Sequence, residues 1–384
     1  MLNLTQLPPL SLYIHIPWCI KKCPYCDFNS HSAKNQPVPE QQYIDCLIAD
    51  LDQALPLIWG RQINSIFIGG GTPSLFSGTA ISRLITEIRM RLRLSPYAEI
   101  TMEANPGTIE RKYIKEYAEA GINRISIGVQ SFDDNHLQQL GRIHSANEAK
   151  IAIHEVATHF NNFNIDIMYG LPNQNIIGAT NDILTAISFQ PSHISAYNLT
   201  IEPNTEFAKF VPHNMPDDDT CYQMQDSIIA TLAEHNYQRY EVSAYAKDKF
   251  QAQHNLNYWQ FGDYLGIGAG AHSKLSFHDK IIRQARIKQP TQYMNSIAIN
   301  QQIQTSHEVI AKDLPLEFMM NAMRLVDGFN LTLFNQTTGL PLSNILSKLT
   351  ELQRQQLIQI SHNHLKPTSR GLDYLNNLLE LLLE

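Results

Sequence analysis

Six short β-rich runs recur through the first half of the chain: Leu12–Ile16, Ile63–Ile68, Glu99–Glu103, Arg124–Val129, Asn164–Met168 and His193–Leu199. They lie about 25–50 residues apart, too far for hairpins and far enough for the crossover that parallel strands need. The crossovers read as helices. Ile44, Leu47, Ile48, Leu51, Ala54 and Leu55 keep the i, i+3, i+4, i+7 spacing of a one-faced helix, and Ile81, Leu84, Ile85, Ile88 and Leu92 repeat it. Ile151, Ile153, Val156 and Ala157 fit it more loosely. The predicted fold class is therefore α/β: a partial (β/α)6 barrel, followed by a smaller mixed or helical C-terminal region. In such sheets ligands gather at the carboxyl ends of the strands, which sorts every motif considered below.

The second half is less periodic. Residues 211–219 read as a connection, 221–235 as a helix and 240–246 as strand material. Residues 254–273 are aromatic and glycine-rich. From about 313 the chain is leucine-rich and reads as helical, with 357–360 and 365–372 suiting a small winged-helix-like module. The expected division is a barrel over 1–235, a distinct segment over 236–300 and a C-terminal unit over 301–384. With 43% hydrophobic and 17% charged residues, the chain has ordinary core material. A net charge of −7 argues against broad binding to a nucleic-acid backbone. No apolar run approaches the ~18 residues of a membrane span, and the N-terminus lacks the basic region and cleavage site of a secretory signal. The expected location is the cytoplasm, at most peripheral to the inner face of the membrane.

Three of the five cysteines crowd into Cys19-Ile-Lys-Lys-Cys23-Pro-Tyr-Cys26, directly after the first strand. In a reducing compartment such crowding points to metal rather than disulfides. Three thiolates on a four-iron cluster leave one iron without a protein ligand. Zinc would want a fourth Cys or His at finger spacing, and His31 fits no such pattern. Gly69-Gly70-Gly71-Thr72-Pro73-Ser74 follows the second strand. The run suits close approach of backbone to a ligand, or simply a strand-to-helix turn, and it lacks dinucleotide-fingerprint spacing. Glu103, Gln130 and Asp166 stand at the exits of the third, fourth and fifth strands, with Arg142 shortly after the fourth. Each alone is equally a solvated or capping residue.

The cysteine spacing, with Tyr25 before the third cysteine, resembles the radical S-adenosylmethionine superfamily. That resemblance implies a [4Fe–4S] cluster on Cys19, Cys23 and Cys26, with S-adenosylmethionine chelating the open iron. Tyr-Ile-His-Ile-Pro-Trp-Cys, Gly-Gly-Gly-Thr-Pro-Ser, Glu-Ala-Asn-Pro-Gly, Ser-Ile-Gly-Val-Gln-Ser-Phe and Asp-Ile-Met-Tyr-Gly-Leu-Pro together resemble the oxygen-independent coproporphyrinogen III oxidase-like family. By that resemblance Tyr13, Tyr25, Gly70, Gly71, Thr72, Glu103, Gln130, Arg142 and Asp166 are the cofactor-contact candidates.

Two departures separate the chain from the oxidases themselves. Phe28 stands where they carry a fourth cysteine, and only eleven residues precede Leu12. Both match a subgroup of heme chaperones, as does His254-Asn-Leu-Asn-Tyr-Trp259. Imidazole is a standard heme-iron ligand, and Tyr258 and Trp259 offer flat apolar surface for a macrocycle. A packed histidine is the alternative reading of His254. The resemblance implies heme as a third cofactor, with no catalytic residue assigned. It implies heme-accepting proteins such as membrane-bound respiratory enzymes as partners, a flavodoxin or ferredoxin as electron donor, and a homodimer. The other function it allows is radical decarboxylation of coproporphyrinogen III.

Overall fold

The computed structural model describes residues 2–33, 37–107 and 112–382. Six parallel strands lie side by side in chain order: β1 (Leu10–Ile16), β2 (Ile63–Gly70), β3 (Leu94–Ala104), β4 (Arg124–Gln130), β5 (Phe163–Tyr169) and β6 (His193–Asn198). Each matches an expected run, extended by one to five residues at an end or shortened by one. Helices Glu40–Ile58, Gly78–Arg91, Ile114–Ala120, Ala146–His159, Ile176–Ser188 and Asp218–Glu234 make the crossovers on one face. Leu10, Leu12, Ile14 and Ile16 of β1 join the core beneath those helices with Ile66, Ile68, Ile44, Leu47 and Leu51. By strand alternation, Ser11, Tyr13 and His15 point to the opposite, concave face.

That alternation explains why the concave face is polar. Its residues are Glu99, Thr101 and Glu103 on β3, Arg124 and Ser126 on β4, Asn164 and Asp166 on β5, and His193 and Ser195 on β6. Their hydrogen bonds run between strands. Asn164 donates to Ser126 Oγ at 2.7 Å and to Asp166 Oδ1 at 2.7 Å, and His193 Nδ1 lies 2.6 Å from Asn164 Oδ1.

Three local expectations change. On helix Ala146–His159 the buried face is Ala149, Ala152, Ile153 and Val156, while Ile151 is 43% exposed. Ile153 and Val156 meet the core as expected, and the small Ala149, which carries little hydropathy signal, joins them. The run at 240–246 is strand only at Ala244–Ala246, which pairs antiparallel with Gln238–Arg239 just before it, and Glu241 between them bridges to Leu325. The C-terminal region carries a three-stranded antiparallel sheet, Phe329–Asn330, His364–Pro367 and Ile358–Ser361, among its helices.

The sheet also extends beyond β1. Asp263–Ile267 pairs with β1 as a seventh parallel strand, and His272–Ser276, Ile281–Arg286 and Ile303–Glu308 continue it antiparallel. A buried ion pair fastens this extension to the first helix. Arg286, 1% exposed, binds Asp50 at 3.1 Å, and Tyr293 donates to the same carboxylate at 2.8 Å. A second apolar core gathers Phe318, Phe329, Phe334, Leu349, Leu352 and Leu365. Leu2 and Leu4 from the other end of the chain are packed into it.

Candidate functional site

The carboxyl ends of β1–β6 surround a cavity of about 470 Å³. Cys19, Cys23 and Cys26 form part of its wall, together with Tyr25, Gly70, Gly71, Thr72, Glu103, Gln130, Arg142 and Asp166. Residues 119 positions apart in sequence, such as Cys23 and Arg142, thus meet at one site.

The cysteine loop leaves β1 through Trp18–Cys19, which pairs with His31–Ser32 and closes the loop at its base. All three thiols are free and partly exposed to the cavity. Burial pushes the Cys19 and Cys26 thiols up, with the Thr72 hydroxyl and the Phe28 backbone respectively opposing it. Polar groups are aimed at the sulfurs. The Thr72 hydroxyl lies 3.3 Å from Cys19 Sγ, Arg142 Nη1 lies 3.7 Å from Cys23 Sγ, and Ser30 Oγ lies 3.9 Å from Cys26 Sγ. Three thiols on one wall, each with a polar group beside it, fit an iron–sulfur cluster that keeps one iron free of protein ligand.

The glycine run is packed against that loop. Gly71 N donates to Ile16 O and Thr72 N to Trp18 O, both at 2.7 Å. A Cβ on Gly71 would sit 2.6 Å from the Trp18 carbonyl oxygen. Gly70 holds φ at +117°, and a Cβ there would meet the His15 ring at 2.7 Å. The close approach that glycine permits here is thus to the protein's own cysteine-bearing strand, while the run's outer surface lines the cavity.

Glu103 and Asp166 are two of the four carboxyl residues that line the cavity. Glu103 accepts from Gly70 N at 3.1 Å, and desolvation, reinforced by the Asp166 charge, raises its pKa to about 8. Asp166 is also raised by desolvation, although Ser126 and Asn164 hydrogen-bond to it. A neutral Glu103 at physiological pH would ionise when a cationic group such as a ligand ammonium arrived beside it. Gln130 sits at a β-bulge on β4, and its left-handed φ of 76° turns it into the cavity. Arg142 donates to Asn105 Oδ1 at 2.8 Å and to Gly128 O at 2.6 Å, and its buried Nε has no partner among the described residues.

Tyr13 and His254 are placed elsewhere. Tyr13 OH lies 2.9 Å from His15 Nδ1, and His15 Nε2 lies 2.8 Å from Asn29 O at the end of the cysteine loop. Tyr13 therefore supports the loop from one layer below. His254 lies on a helix, Gln253–Trp259, that seats on the concave face at the foot of the strands. Its ring is 5.1 Å from Phe67 and 6.3 Å from Tyr13, and Nδ1 is 3.3 Å from Ser65 Oγ. Desolvation lowers its pKa to about 4, so the imidazole is neutral. Glu99 accepts from Gln253 N at 2.9 Å, and Asn257 donates to Ser11 Oγ at 2.9 Å. The expected flat surface is not formed: Tyr258 and Trp259 meet edge-on at 83°, and Arg324 covers Trp259 at 5.1 Å from the ring centre. Adjacent helical residues project about 100° apart, so neighbouring rings cannot share a plane.

Asn105, Asn164 and His193 line the cavity without having been singled out from the sequence. For Asn105 the signal was its place two residues beyond Glu103. Asn164 and His193 were legible only as inward positions of β5 and β6.

A three-cysteine loop behind the first strand of a (β/α)6 sheet, opening on a cavity at the strand ends, is the arrangement of the radical SAM superfamily. Residues 13–179 match that superfamily, and residues 310–374 match the HemN C-terminal domain. The solved coproporphyrinogen III oxidase (HemN) from Escherichia coli has this fold, with a TM-score of 0.82 at 22% identity over 98% of this chain and 90% of that one. The heme chaperone HemW of Escherichia coli is 46% identical over 99% of this chain and all of its own length. That of Haemophilus influenzae is 47% identical over 98% and 99%. A mitochondrial radical S-adenosyl methionine domain-containing protein 1 from Bos taurus is 32% identical over 97% and 87%. The chain belongs to the heme chaperone HemW family. No helix among the described residues is long and apolar enough to cross a membrane.

Proposed function

We propose that this protein binds heme and hands it to acceptor proteins, carrying a [4Fe–4S] cluster on Cys19, Cys23 and Cys26 with S-adenosylmethionine beside it. The observation that carries the heme part is the 46–47% identity to heme chaperones over nearly the whole chain. The cluster part rests on three free thiols with polar donors behind them. A reduced cluster held by Cys19, Cys23 and Cys26 would supply an electron to the sulfonium of S-adenosylmethionine. The chain's own residues bind and orient. Gly70, Gly71 and Thr72 line the cavity next to Cys19, Glu103 and Asp166 offer acceptors for amino and hydroxyl groups, and Tyr25, Gln130 and Arg142 complete the wall. Tyr13 holds the loop through His15.

We assign heme to the His254–Trp259 segment, with His254, a neutral imidazole, as the candidate ligand. In the described structure this ring is enclosed by Ser65, Phe67 and Tyr13, so ligation through it requires the helix to lift from the concave face. Acceptors are heme-requiring proteins, among them respiratory enzymes at the cytoplasmic side of the membrane. The electron donor is a flavodoxin or ferredoxin, the carrier is a homodimer, and the C-terminal unit expected over 301–384 starts only after Ile303–Glu308, which belongs to the main sheet.

The test is anaerobic heme titration of wild type and His254→Ala, followed by transfer to a heme-accepting apo-protein, beside incubation with coproporphyrinogen III. Heme retention and transfer without decarboxylation is expected, with a shifted or weakened Soret band in the variant. Decarboxylation without heme retention would replace the carrier reading with the oxidase one.

A further inference from the structure

Asn105 lies between two residues that each touch a cluster cysteine. Its Nδ2 donates to Thr72 Oγ1 at 3.0 Å, and its Oδ1 accepts from Arg142 Nη2 at 2.8 Å. Thr72 is 2% exposed and reaches Cys19 Sγ at 3.3 Å, and Arg142 reaches Cys23 Sγ at 3.7 Å. The backbone N of Asn105 is itself held by Ser74 Oγ at 3.1 Å.

The direction of every bond in this chain follows from one fact. Arginine has only donors, so the amide oxygen of Asn105 must face it. The amide nitrogen then faces Thr72 and fills a lone pair on the hydroxyl oxygen. The Thr72 hydrogen is left free to point at the remaining neighbour, Cys19 Sγ. Without Asn105 so oriented, the hydroxyl could as well turn away from the sulfur.

We propose that Asn105 is a positioning residue for the iron–sulfur cluster, orienting the Thr72 hydroxyl onto Cys19 and the Arg142 guanidinium onto Cys23 so as to raise the cluster's reduction potential. This rests on the cluster assignment made above. Donors aimed at ligand sulfurs stabilise the more negative, reduced state, so their loss makes the potential more negative. Thr72 and Arg142, candidates for cofactor contact by resemblance, thereby act on the sulfurs before any cofactor is bound.

The experiment measures the midpoint potential and reduced-state EPR spectrum of the reconstituted full-length protein without S-adenosylmethionine. Asn105→Asp keeps the shape but presents an acceptor to Thr72, which reverses the hydroxyl. Thr72→Val removes the hydroxyl, and Thr72→Ser restores it. Thr72→Val is expected to shift the reduced-to-oxidised ratio at fixed potential roughly tenfold toward oxidised, about 59 mV for a one-electron couple. Thr72→Ser should lie near wild type. Asn105→Asp also adds charge, so the decisive reading is the double variant: with the hydroxyl already reversed, Thr72→Val should add almost nothing in that background. A full additional tenfold shift there overturns the proposal, as does a wild-type potential in Thr72→Val. If Asn105→Asp fails to retain the cluster, Asn105→Ala takes its place, since it leaves neither the donor to Thr72 nor the acceptor for Arg142. The Thr72→Val shift should then shrink, and an undiminished shift overturns the inference. A wild type that binds no cluster overturns the cluster reading itself, a result distinct from a bound cluster with unshifted variants.

Discussion

The cysteine loop and the Gln253–Trp259 helix were both singled out as carriers of chemistry, and the structure treats them oppositely. The loop holds its reactive atoms toward open space, with Thr72, Arg142 and Ser30 directed at the sulfurs from behind. The helix turns its imidazole inward against Phe67, fixes its first turn to Glu99 and stands its two large rings at right angles. Three free thiols that line one cavity are open to iron. A histidine packed among aromatics must first be released, so binding there is coupled to a local conformational cost.

The sharpest way to break this contrast is at the thiols. Replacing Cys19, Cys23 or Cys26 with Ser should abolish iron–sulfur absorbance almost entirely, while Cys46→Ser and Cys221→Ser should retain it, as read by iron content after anaerobic reconstitution. Next in size is Gly71→Val. Because its Cβ would collide with the Trp18 carbonyl rather than with open cavity, the loop itself must move. Most of the cluster should be lost, and thermal unfolding should fall by several degrees. A variant that holds the full complement of iron but no S-adenosylmethionine would show that the glycine serves only the ligand.

Glu103 gives a pH-dependent test. Its folded pKa of about 8 exceeds its unfolded value near 4.5, so the folded state binds more protons between those limits. Stability from this group is present below pH 4.5 and is lost as pH rises through 8. Glu103→Gln should therefore gain stability relative to wild type as pH climbs from 5 to 8, on the order of 3 kcal/mol in denaturant melts of apo-protein. It should also weaken S-adenosylmethionine binding. A difference between the two proteins that stays constant over that pH range would mean that Glu103 is ionised throughout. The smallest effect is expected at Gln130. Gln130→Gly relieves the left-handed backbone, so stability should change by less than about 1 kcal/mol, with a modest loss of cofactor affinity by calorimetry.

The six parallel strands were legible because each is a short run that carries buried apolar residues, and the cavity wall was legible because its residues stand where those runs end. The seventh parallel strand, Asp263–Ile267, was not. It is short, flanked by glycines and paired with β1 from some 250 residues away, a contact that no local pattern encodes. His254 was visible as a histidine beside aromatics, but the direction of its side chain depends on where the helix is seated, and that is set by Glu99, Ser11 and Asp263. Asn105 was hidden for a different reason: its importance lies in two hydrogen bonds to partners 33 and 37 residues away.

The packing of Leu2 and Leu4 into the C-terminal core means that the two ends of the polypeptide are fastened to each other. Asn3 N donates to Gly339 O at 3.4 Å, and Leu4 N is held to the main sheet by His278 O at 2.9 Å. For anyone expressing pieces of this protein, a fragment cut out by sequence position around 310–382 would leave an apolar hole where those two leucines belong. The natural unit for isolating that region is instead a circularly permuted or tethered form that brings residues 2–9 along.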